Sequence, residues 1–272
     1  MNMLTCVGVF FLILPLLYVW GLRGRRGISG VRDDKGFVFA HRGLHQGLTI
    51  PENSAAAFRL AAEKGYGSEL DVHLLTDGGL AVFHDSGLER MTGGSGEIEN
   101  LKTEDLRKYK LGQSEETIPT LKTVLDIYSG KAPLLIELKT NRNNYRTLCE
   151  TVCRELDHYK GTYVMESFDP KAVLWLRRHR PDIVRGQLST NFFKERSGLS
   201  FPLAFAGTYL LANFATKPDF IAYHFQDRKN LSNRLCLKLW KLRGASWTIS
   251  SPDEYQQALK EGLWPIFENF EP

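Results

Sequence analysis

Short apolar runs alternate with amphipathic stretches along most of the chain, and this alternation restricts the possible folds more than any other feature. The apolar runs are typical of strands, and the stretches between them repeat apolar residues at helical spacing. Strands that alternate with helices form parallel sheets joined by right-handed crossovers. The eight strand-like runs are 37–41, 67–75, 80–84, 132–138, 162–167, 182–188, 218–225 and 245–250.

Eight strand and helix units in about 240 residues favour a (β/α)8 TIM barrel over residues 37–272. The 272 residues are 43% hydrophobic, which suffices for one large domain with a deep core. Polar, glycine-containing residues at about 87–118 interrupt the rhythm and predict a small insertion after the third strand. A doubly wound open sheet obeys the same alternation and is the alternative architecture.

A barrel places catalytic groups at the C-terminal ends of its strands, and the polar residues of this sequence follow that rule. Charged residues inside apolar strands are informative because an unpaired buried charge is very costly. They lie along the second predicted strand and at the ends of the first, third and fourth, and one aromatic residue stands in the last. These residues are His41, Arg42, Glu69, Asp71, His73, His84, Asp85, Glu137, Lys139 and Trp247.

The run ELDVHL places Glu69 and Asp71 on one face of the second strand, because side chains two apart project together. Two carboxylates this close repel each other unless a cation lies between them. Glu137 ends the fourth strand and completes a cluster of three acidic oxygen donors. Hard oxygen donors suit Mg²⁺ or Ca²⁺, whereas Zn²⁺ prefers nitrogen and sulfur. The sequence therefore predicts a site for one divalent cation.

At this point the sequence resembles the glycerophosphodiester phosphodiesterase family from about residue 38 to residue 270. The segments that carry the resemblance occur in the order AHRG, PENS, ELDVHLLTDG, VFHD, IPTL and IELK. The resemblance is dense up to Lys139 and looser after Thr190. It implies a TIM barrel and a divalent metal. It also implies cleavage of glycerophosphodiesters to glycerol phosphate and an alcohol.

The same resemblance implies roles for individual residues. His41 and His84 would form the acid/base pair, and Arg42 and Lys139 would hold the phosphate. The role of Trp247 is inferred from its place in the last predicted strand and not from the resemblance: it would pack against glycerol or fill the core. The family often has Thr where Ser54 stands and a Lys near the TDG turn that is absent here. Glu69, Asp71 and Glu137 would hold the metal; His45, His73 and His224 are left without an assigned role.

The residue types suit this chemistry without reference to a family. Cleavage of a phosphodiester develops negative charge on oxygen, which a divalent cation, Arg42 and Lys139 can stabilise. Two histidines can accept and deliver the required protons. Either the glycerol 2-hydroxyl attacks phosphorus to give a cyclic phosphate, or water attacks directly. The alternatives in function are lysophospholipase D-type action on membrane lysophospholipids and a catalytically silent barrel that binds lipid headgroups.

Residues 1–22 predict a transmembrane anchor. They contain no charged residue and are almost entirely apolar, and an apolar helix of this length covers the hydrocarbon core of a bilayer. Tyr18 and Trp20 stand at its far end, where aromatic belts form. A cleaved signal peptide is the alternative, but no positive start and no small-residue cleavage site accompany it.

Residues 23–36 form a basic linker that predicts contact with anionic lipid. Arg23, Arg25, Arg26 and Arg32 lie in it, and the remaining 31 basic residues equal the 31 acidic ones. The rest of the chain is therefore balanced in charge, which argues against a nucleic-acid partner. Positive flanks remain cytoplasmic, so we expect a single-pass membrane protein with its catalytic domain in the cytoplasm. Four cysteines without a disulfide-like spacing are compatible with a reducing compartment.

Overall fold

The computed structural model describes residues 13–25, 36–195 and 198–272. Within them one sheet holds all the named strands, and every neighbouring pair is parallel except one. The strands are β1 Phe39–Ala40, β2 Gly67–Leu74, β3 Leu80–Val82, β4 Leu134–Leu138, β5 Tyr163–Ser167, β6 Arg185–Ser189, β7 Phe220–His224, β8 Arg243–Ile249 and β9 Leu263–Phe267.

The sheet closes into a barrel because β1 pairs with both β2 and β9. Eight parallel strands form the ring in the order β1, β2, β4, β5, β6, β7, β8, β9. Closure through the short strand β1 confirms the predicted (β/α)8 TIM barrel and excludes the open sheet for this part of the chain.

Two strand predictions were wrong: one predicted strand lies outside the barrel, and one barrel strand was not predicted. The number of barrel strands is therefore still eight. The predicted third barrel strand, 80–84, contains β3, which pairs antiparallel with β2 outside the ring. The TDGG turn joins the two strands directly, and a turn this short connects only antiparallel strands. The eighth strand of the ring is β9, which the strand predictions omitted.

The helices cover the outside of the barrel, and most of the long ones begin at a side-chain cap. Ser54, Thr120, Asp169 and Ser251 each accept a hydrogen bond from a backbone N–H of the following first turn. Residues 13–21 are helical and are called α1. The others are α2 Ala55–Glu63, α3 Glu89–Thr92, α4 Leu121–Tyr128, α5 Tyr145–Leu156, α6 Pro170–His179, α7 Phe201–Thr208, α8 Asn213–Thr216, α9 Leu231–Arg234 and α10 Pro252–Lys260.

The core has two layers, and the inner layer decides where a site can form. Phe39, Leu135, Val164, Ala222 and Ala245 are among the residues that fill the barrel interior. Two positions after each of them, toward the C-terminal end of the strand, comes a polar or aromatic residue whose side chain has the same inward direction. Apolar side chains therefore plug the lower barrel, and functional side chains line the mouth above them. A second layer packs between the strands and helices.

The polar stretch 87–118 folds over its own small apolar cluster. Leu88, Met91, Ile98 and Leu106 are buried together there, next to Phe83. Besides α3, the stretch contains the 3₁₀ turns Ile98–Asn100 and Thr103–Lys108. It thus contributes packing beside β3 as well as loops.

The N-terminal region departs from its prediction. Helix α1 lies against the barrel: Leu22 is buried, and Trp240 donates a hydrogen bond of 2.8 Å to the carbonyl of Val19. Arg25, in the predicted linker, forms an ion pair of 2.5 Å with buried Asp219 at the start of β7.

The prediction of a single-pass membrane protein, with a transmembrane anchor and a cytoplasmic catalytic domain, is wrong by the following finding. No helix within the described ranges has both the length and the apolar character needed to cross a bilayer. Residues 1–12 of the predicted anchor and 26–35 of the predicted linker lie outside the described residues.

Candidate active site

Three carboxylates converge on the inward face at the barrel mouth. Glu69 and Asp71 lie two apart on β2, and Asp71 is in register with Glu137 on the neighbouring strand β4. One oxygen from each of the three lies within 4.8 Å of the others, and all three residues are buried. The parallel register therefore assembles, from two strands, the acidic cluster that the sequence predicted.

Burial and mutual repulsion oppose the charges of this cluster. Burial raises the pKa of Glu69 well above its usual range, and the charges of Asp71 and Glu137 raise it further. Burial likewise raises the pKa of Glu137, although the ammonium of Lys139 opposes this. Burial would also raise the pKa of Asp71, but Lys139, His84 and Arg42 outweigh it and hold that pKa below its usual range.

The donor set fits a divalent cation. Lys139 lies 3.1 Å from Glu137 and 3.3 Å from Asp71, so one cation already serves two of the carboxylates. The carboxylate of Glu69 lies close to the other two, and burial together with the charges of Asp71 and Glu137 raises its pKa. Oxygen-only donors of this kind match Mg²⁺ or Ca²⁺.

Arg42 occupies a strained backbone position beside the cluster. Its φ is +56°, in the left-handed region that side chains other than glycine rarely adopt. This conformation turns its backbone N–H toward Glu69, at 3.2 Å, and its guanidinium toward Asp71, at 3.5 Å. Glu52 accepts a hydrogen bond of 2.8 Å from the same guanidinium, and Asn53 donates one of 2.9 Å to Asp71. The PENS segment thus braces both the arginine and a carboxylate.

His41 directly follows β1 and lies between two glutamates. Its Nδ1 is 2.7 Å from Glu268, and its Nε2 is 3.8 Å from Glu69. Burial lowers the pKa of His41, although the hydrogen bond with Glu268 opposes this. Glu268 follows β9, so closure of the barrel brings the histidine and its partner together.

His84 reaches the mouth by a different route. It follows β3, which runs back along β2, and the backbone N–H of Phe83 donates to the carbonyl of Asp71 at 3.0 Å. The antiparallel return therefore sets His84 beside the carboxylates. Its Nδ1 is 2.7 Å from Asp85, and burial lowers its pKa while the charge of Asp71 raises it.

Other predicted residues take more distant positions. Trp247 points inward from β8, with its ring 5.2 Å from that of His224 and 5.6 Å from that of Phe168. His73 pairs with Glu99 at 3.1 Å, beside the insertion. His45 lies 3.8 Å from Glu268, so it shares the partner of His41.

Four polar residues at the mouth were missed by the sequence prediction: Glu52, Asn53, Glu166 and Glu268. Glu166 lies on β5, in register with Glu137 on β4, and is buried. One of its carboxylate oxygens has no hydrogen-bond partner among the described residues. An acidic residue inside an apolar strand was the available signal for Glu166, as it was for Glu69. Glu268 offered a similar signal, since it directly follows an apolar run.

Comparison with known proteins agrees with this geometry. The model of the glycerophosphoryl diester phosphodiesterase family matches residues 41–270. A glycerophosphodiester phosphodiesterase of Caldanaerobacter subterraneus is 33% identical over 164 residues, which span 57% of this chain and 67% of the relative. Glycerophosphodiester phosphodiesterase 1 of Homo sapiens is 23% identical, with 93% of this chain and 84% of the relative aligned.

Among solved structures, a phosphodiesterase of Oleispira antarctica in complex with its product sn-glycerol-3-phosphate has a similar fold. The TM-score is 0.69 at 24% identity, over 85% of this chain and 92% of that one. The barrel, its mouth and these matches define a phosphoric diester hydrolase. The chain belongs to the glycerophosphoryl diester phosphodiesterase family.

Proposed function

We propose that the protein hydrolyses glycerophosphodiesters to glycerol phosphate and an alcohol, with one divalent cation held by Glu69, Asp71 and Glu137. The observation that supports this most is the convergence of three buried carboxylates, flanked by two histidines that each pair with a carboxylate of their own. A bound Mg²⁺ or Ca²⁺ would supply Lewis-acid stabilisation of charge on phosphoryl oxygens.

Arg42 and Lys139 bind the phosphate in this proposal. Both are fixed in place by buried carboxylates, so they present charge to the substrate without first having to be ordered. The two cations lie on different elements, the β1 loop and β4, and approach Asp71 from both sides. The phosphodiester would lie above this residue.

His41 and His84 move the protons. One neutral imidazole takes the proton of the attacking hydroxyl, and the other, protonated, gives a proton to the leaving oxygen. Glu268 and Asp85 each orient one ring through its Nδ1, which leaves Nε2 free to face the substrate. Attack by the glycerol 2-hydroxyl and attack by water use the same pair.

A missing histidine or metal-ligating carboxylate would favour a catalytically silent barrel, and none is missing from the sequence. The experiment is hydrolysis of glycerophosphocholine by the wild type and Glu69→Gln, with Mg²⁺, with Ca²⁺ and with EDTA. Glu69→Gln keeps the shape but removes a hard anionic ligand, so metal affinity and activity should fall together. Glu150→Gln, an exposed change on α5, is the matched control.

Calorimetry of the same variants measures metal binding independently of turnover. Metal affinity equal to that of the wild type in Glu69→Gln would remove Glu69 from the ligand set. Full activity in EDTA would refute metal dependence.

A further inference from the structure

A cleft on the outside of the barrel collects basic side chains. It has a volume of about 600 Å³ and lies between the segment that follows β7 and the C-terminal end of α10. Sites for small ligands usually have volumes of about 300 to 1,000 Å³, so the cleft is large enough for one. Five of its lining residues are basic and one is acidic, namely Arg228, Lys229, Arg234, Lys238, Lys260 and Glu261.

The acidic residue of the cleft is already neutralised. Arg228 is buried, and its Nε and Nη2 donate hydrogen bonds of 3.0 Å and 3.1 Å to the two carboxylate oxygens of Glu261. Its Nη1 donates one of 2.7 Å to the carbonyl of Phe225, and its guanidinium lies 3.7 Å from the centre of that ring. Arg228 and Glu261 therefore form a fixed wall with no net charge.

The other four basic residues leave their charge uncompensated. Lys229, Arg234, Lys238 and Lys260 are exposed, and none of them forms an ion pair with another residue that the structure describes. Exposed lysines in the insertion and on α4 instead pair with neighbouring carboxylates. Four positive charges therefore line one cleft, although the whole chain has a net charge of only +4.

The sequence of the segment after β7 accounts for this accumulation of charge. Six basic residues and no acidic residue occur from Arg228 to Arg243. Arg234 and Lys238 are four residues apart, so their side chains extend from the same side of the helical segment. Like charges at this spacing destabilise a helix, and Leu235–Leu239 forms a π-helical turn, a feature frequent at functional sites. An anion bound in the cleft would relieve the repulsion.

We propose that this cleft, called here the basic cleft (Arg228, Lys229, Arg234, Lys238, Lys260 and Glu261), binds a soluble anion that carries two or more neighbouring phosphate groups. Four positive charges match the charge of such an anion better than that of a single phosphate. Ammonium groups bind phosphate as point charges, and a guanidinium such as that of Arg234 can donate two parallel hydrogen bonds to one phosphate. The basic cleft contains no residue of the candidate active site, so the proposal does not depend on the proposed function.

Calorimetric titration of the full chain with inorganic tripolyphosphate tests the proposal, in metal-free buffer with about 0.15 M KCl. The wild type should bind one tripolyphosphate in the basic cleft. In Lys229→Gln/Lys238→Gln/Lys260→Gln the affinity should fall about thirtyfold, because three charge-assisted contacts at exposed positions are lost. Gln is a good helix former and all three lysines are exposed, so the fold is retained, and circular dichroism checks this.

The matched control is Lys102→Gln/Lys131→Gln/Lys160→Gln. It removes the same charge from three exposed lysines outside the basic cleft, so it should bind tripolyphosphate as the wild type does. An equal loss of affinity in both triple variants would overturn the proposal, because it would show a general effect of net charge. Absence of measurable binding by the wild type at this ionic strength would overturn it as well.

Titration with inorganic phosphate tests how many phosphate groups the basic cleft requires. The wild type should bind this ion at least about tenfold more weakly than tripolyphosphate, because one phosphate contacts fewer of the four cations. Equal affinities for the two anions would overturn the assignment to a ligand with several phosphate groups.

A lipid headgroup presents the same chemistry as a soluble anion, and two further titrations distinguish these sources. One uses free inositol 1,4,5-trisphosphate, and the other uses phosphatidylcholine vesicles that contain phosphatidylinositol 4,5-bisphosphate. Binding of the free trisphosphate by the wild type and its loss in the cleft variant would support a soluble ligand. Binding to the vesicles, with no binding of either soluble anion, would overturn the proposal.

Discussion

The two sides of the barrel mouth differ in chemistry. The side formed by β1, β2 and β4 presents charged groups, Glu69, Asp71 and Glu137 among them, each close to a further charged or polar side chain. The side formed by β5 to β8 presents mainly rings, such as Phe168 and Trp247. Glu166 on β5 is the charged residue at their border.

This division separates two tasks. Interactions between buried charges are strong and depend on distance, so the charged side needs fixed geometry. In the proposed function this side supplies the reactive groups. Aromatic rings offer a large apolar contact area with few directional requirements. In the proposed function the aromatic side can therefore accept differing substrates. Changes on the charged side should therefore abolish activity, and changes elsewhere should alter preference or stability.

The largest effect is expected for His41→Ala and His84→Ala. Each should lower kcat about 10²- to 10⁴-fold with the fold intact, because each removes a proton-transfer group. Steady-state kinetics with glycerophosphocholine, together with circular dichroism, checks this. His158→Ala, at an exposed position after α5, is the control. A variant of either site histidine with normal turnover would remove that residue from the mechanism.

Glu268→Gln should reduce kcat by less, about tenfold, since His41 keeps its imidazole but loses its charged partner. Burial already lowers the pKa of His41, and Glu268 opposes this. Removing that charge should lower the pKa of His41 further. The midpoint of the change in kcat/KM that the ionisation of His41 causes should therefore move to lower pH. A profile of kcat/KM against pH measures this movement. A midpoint that moves to higher pH would contradict the pairing of His41 with Glu268.

The carboxylate cluster should make stability depend on pH when metal is removed. The pKa of Glu69 is raised in the folded state, so its contribution to stability is fully present below the unfolded pKa and is lost as pH rises through the folded value. A difference of about one between the folded and unfolded pKa corresponds to about 1.4 kcal/mol, or about 2 to 4 °C in Tm. In EDTA, Tm should therefore fall as the pH is raised from about 5 to 8.

Glu69→Gln is the control for that experiment, and it should flatten the slope because it removes the titrating group. Added Mg²⁺ or Ca²⁺ should raise the wild-type Tm most at the higher pH. A wild-type slope in EDTA that equals the slope of Glu69→Gln would contradict the raised pKa of this carboxyl.

The smallest effect is expected for Arg25→Ala, far from the mouth. The variant loses the pair with buried Asp219, which keeps a hydrogen bond of 3.0 Å from the backbone N–H of Arg185. The free energy of unfolding should fall by about 1 kcal/mol, with kcat unchanged. Urea denaturation measures it, with Lys122→Ala on the exposed face of α4 as control. A loss of activity at full stability would contradict the separation of tasks.

The parts of the site that the sequence predicted follow from strand periodicity. Glu69, Asp71 and Glu137 were predictable because a charged residue on the inward face of an apolar strand stands out against its neighbours. Their convergence also followed, since parallel strands end at one edge. Residues on loops, such as Glu52 and Asn53, carry no periodic signal, and their positions depend on the left-handed backbone at Arg42 and Asn53.

The strand errors have a physical origin too. β3 and the barrel strands have the same apolar composition, and only the short TDGG turn distinguishes a hairpin from a crossover. β9 contains Pro265, which weakens a strand prediction, yet it pairs with β1 and β8. The partner of His41 was missed with it. Helix α1 has the apolar composition of a membrane segment, but Leu22 and Tyr18 pack on the barrel.

The pairing of His41 with Glu268 sets an order of events during synthesis on the ribosome. The glutamate is added 227 residues after the histidine. Glu69, Asp71 and Glu137 are all present once residue 137 has been made. A nascent chain therefore contains all three clustered carboxylates long before it contains the partner of His41. A chain that ends before Glu268 lacks the carboxylate that holds Nδ1 of His41 at 2.7 Å.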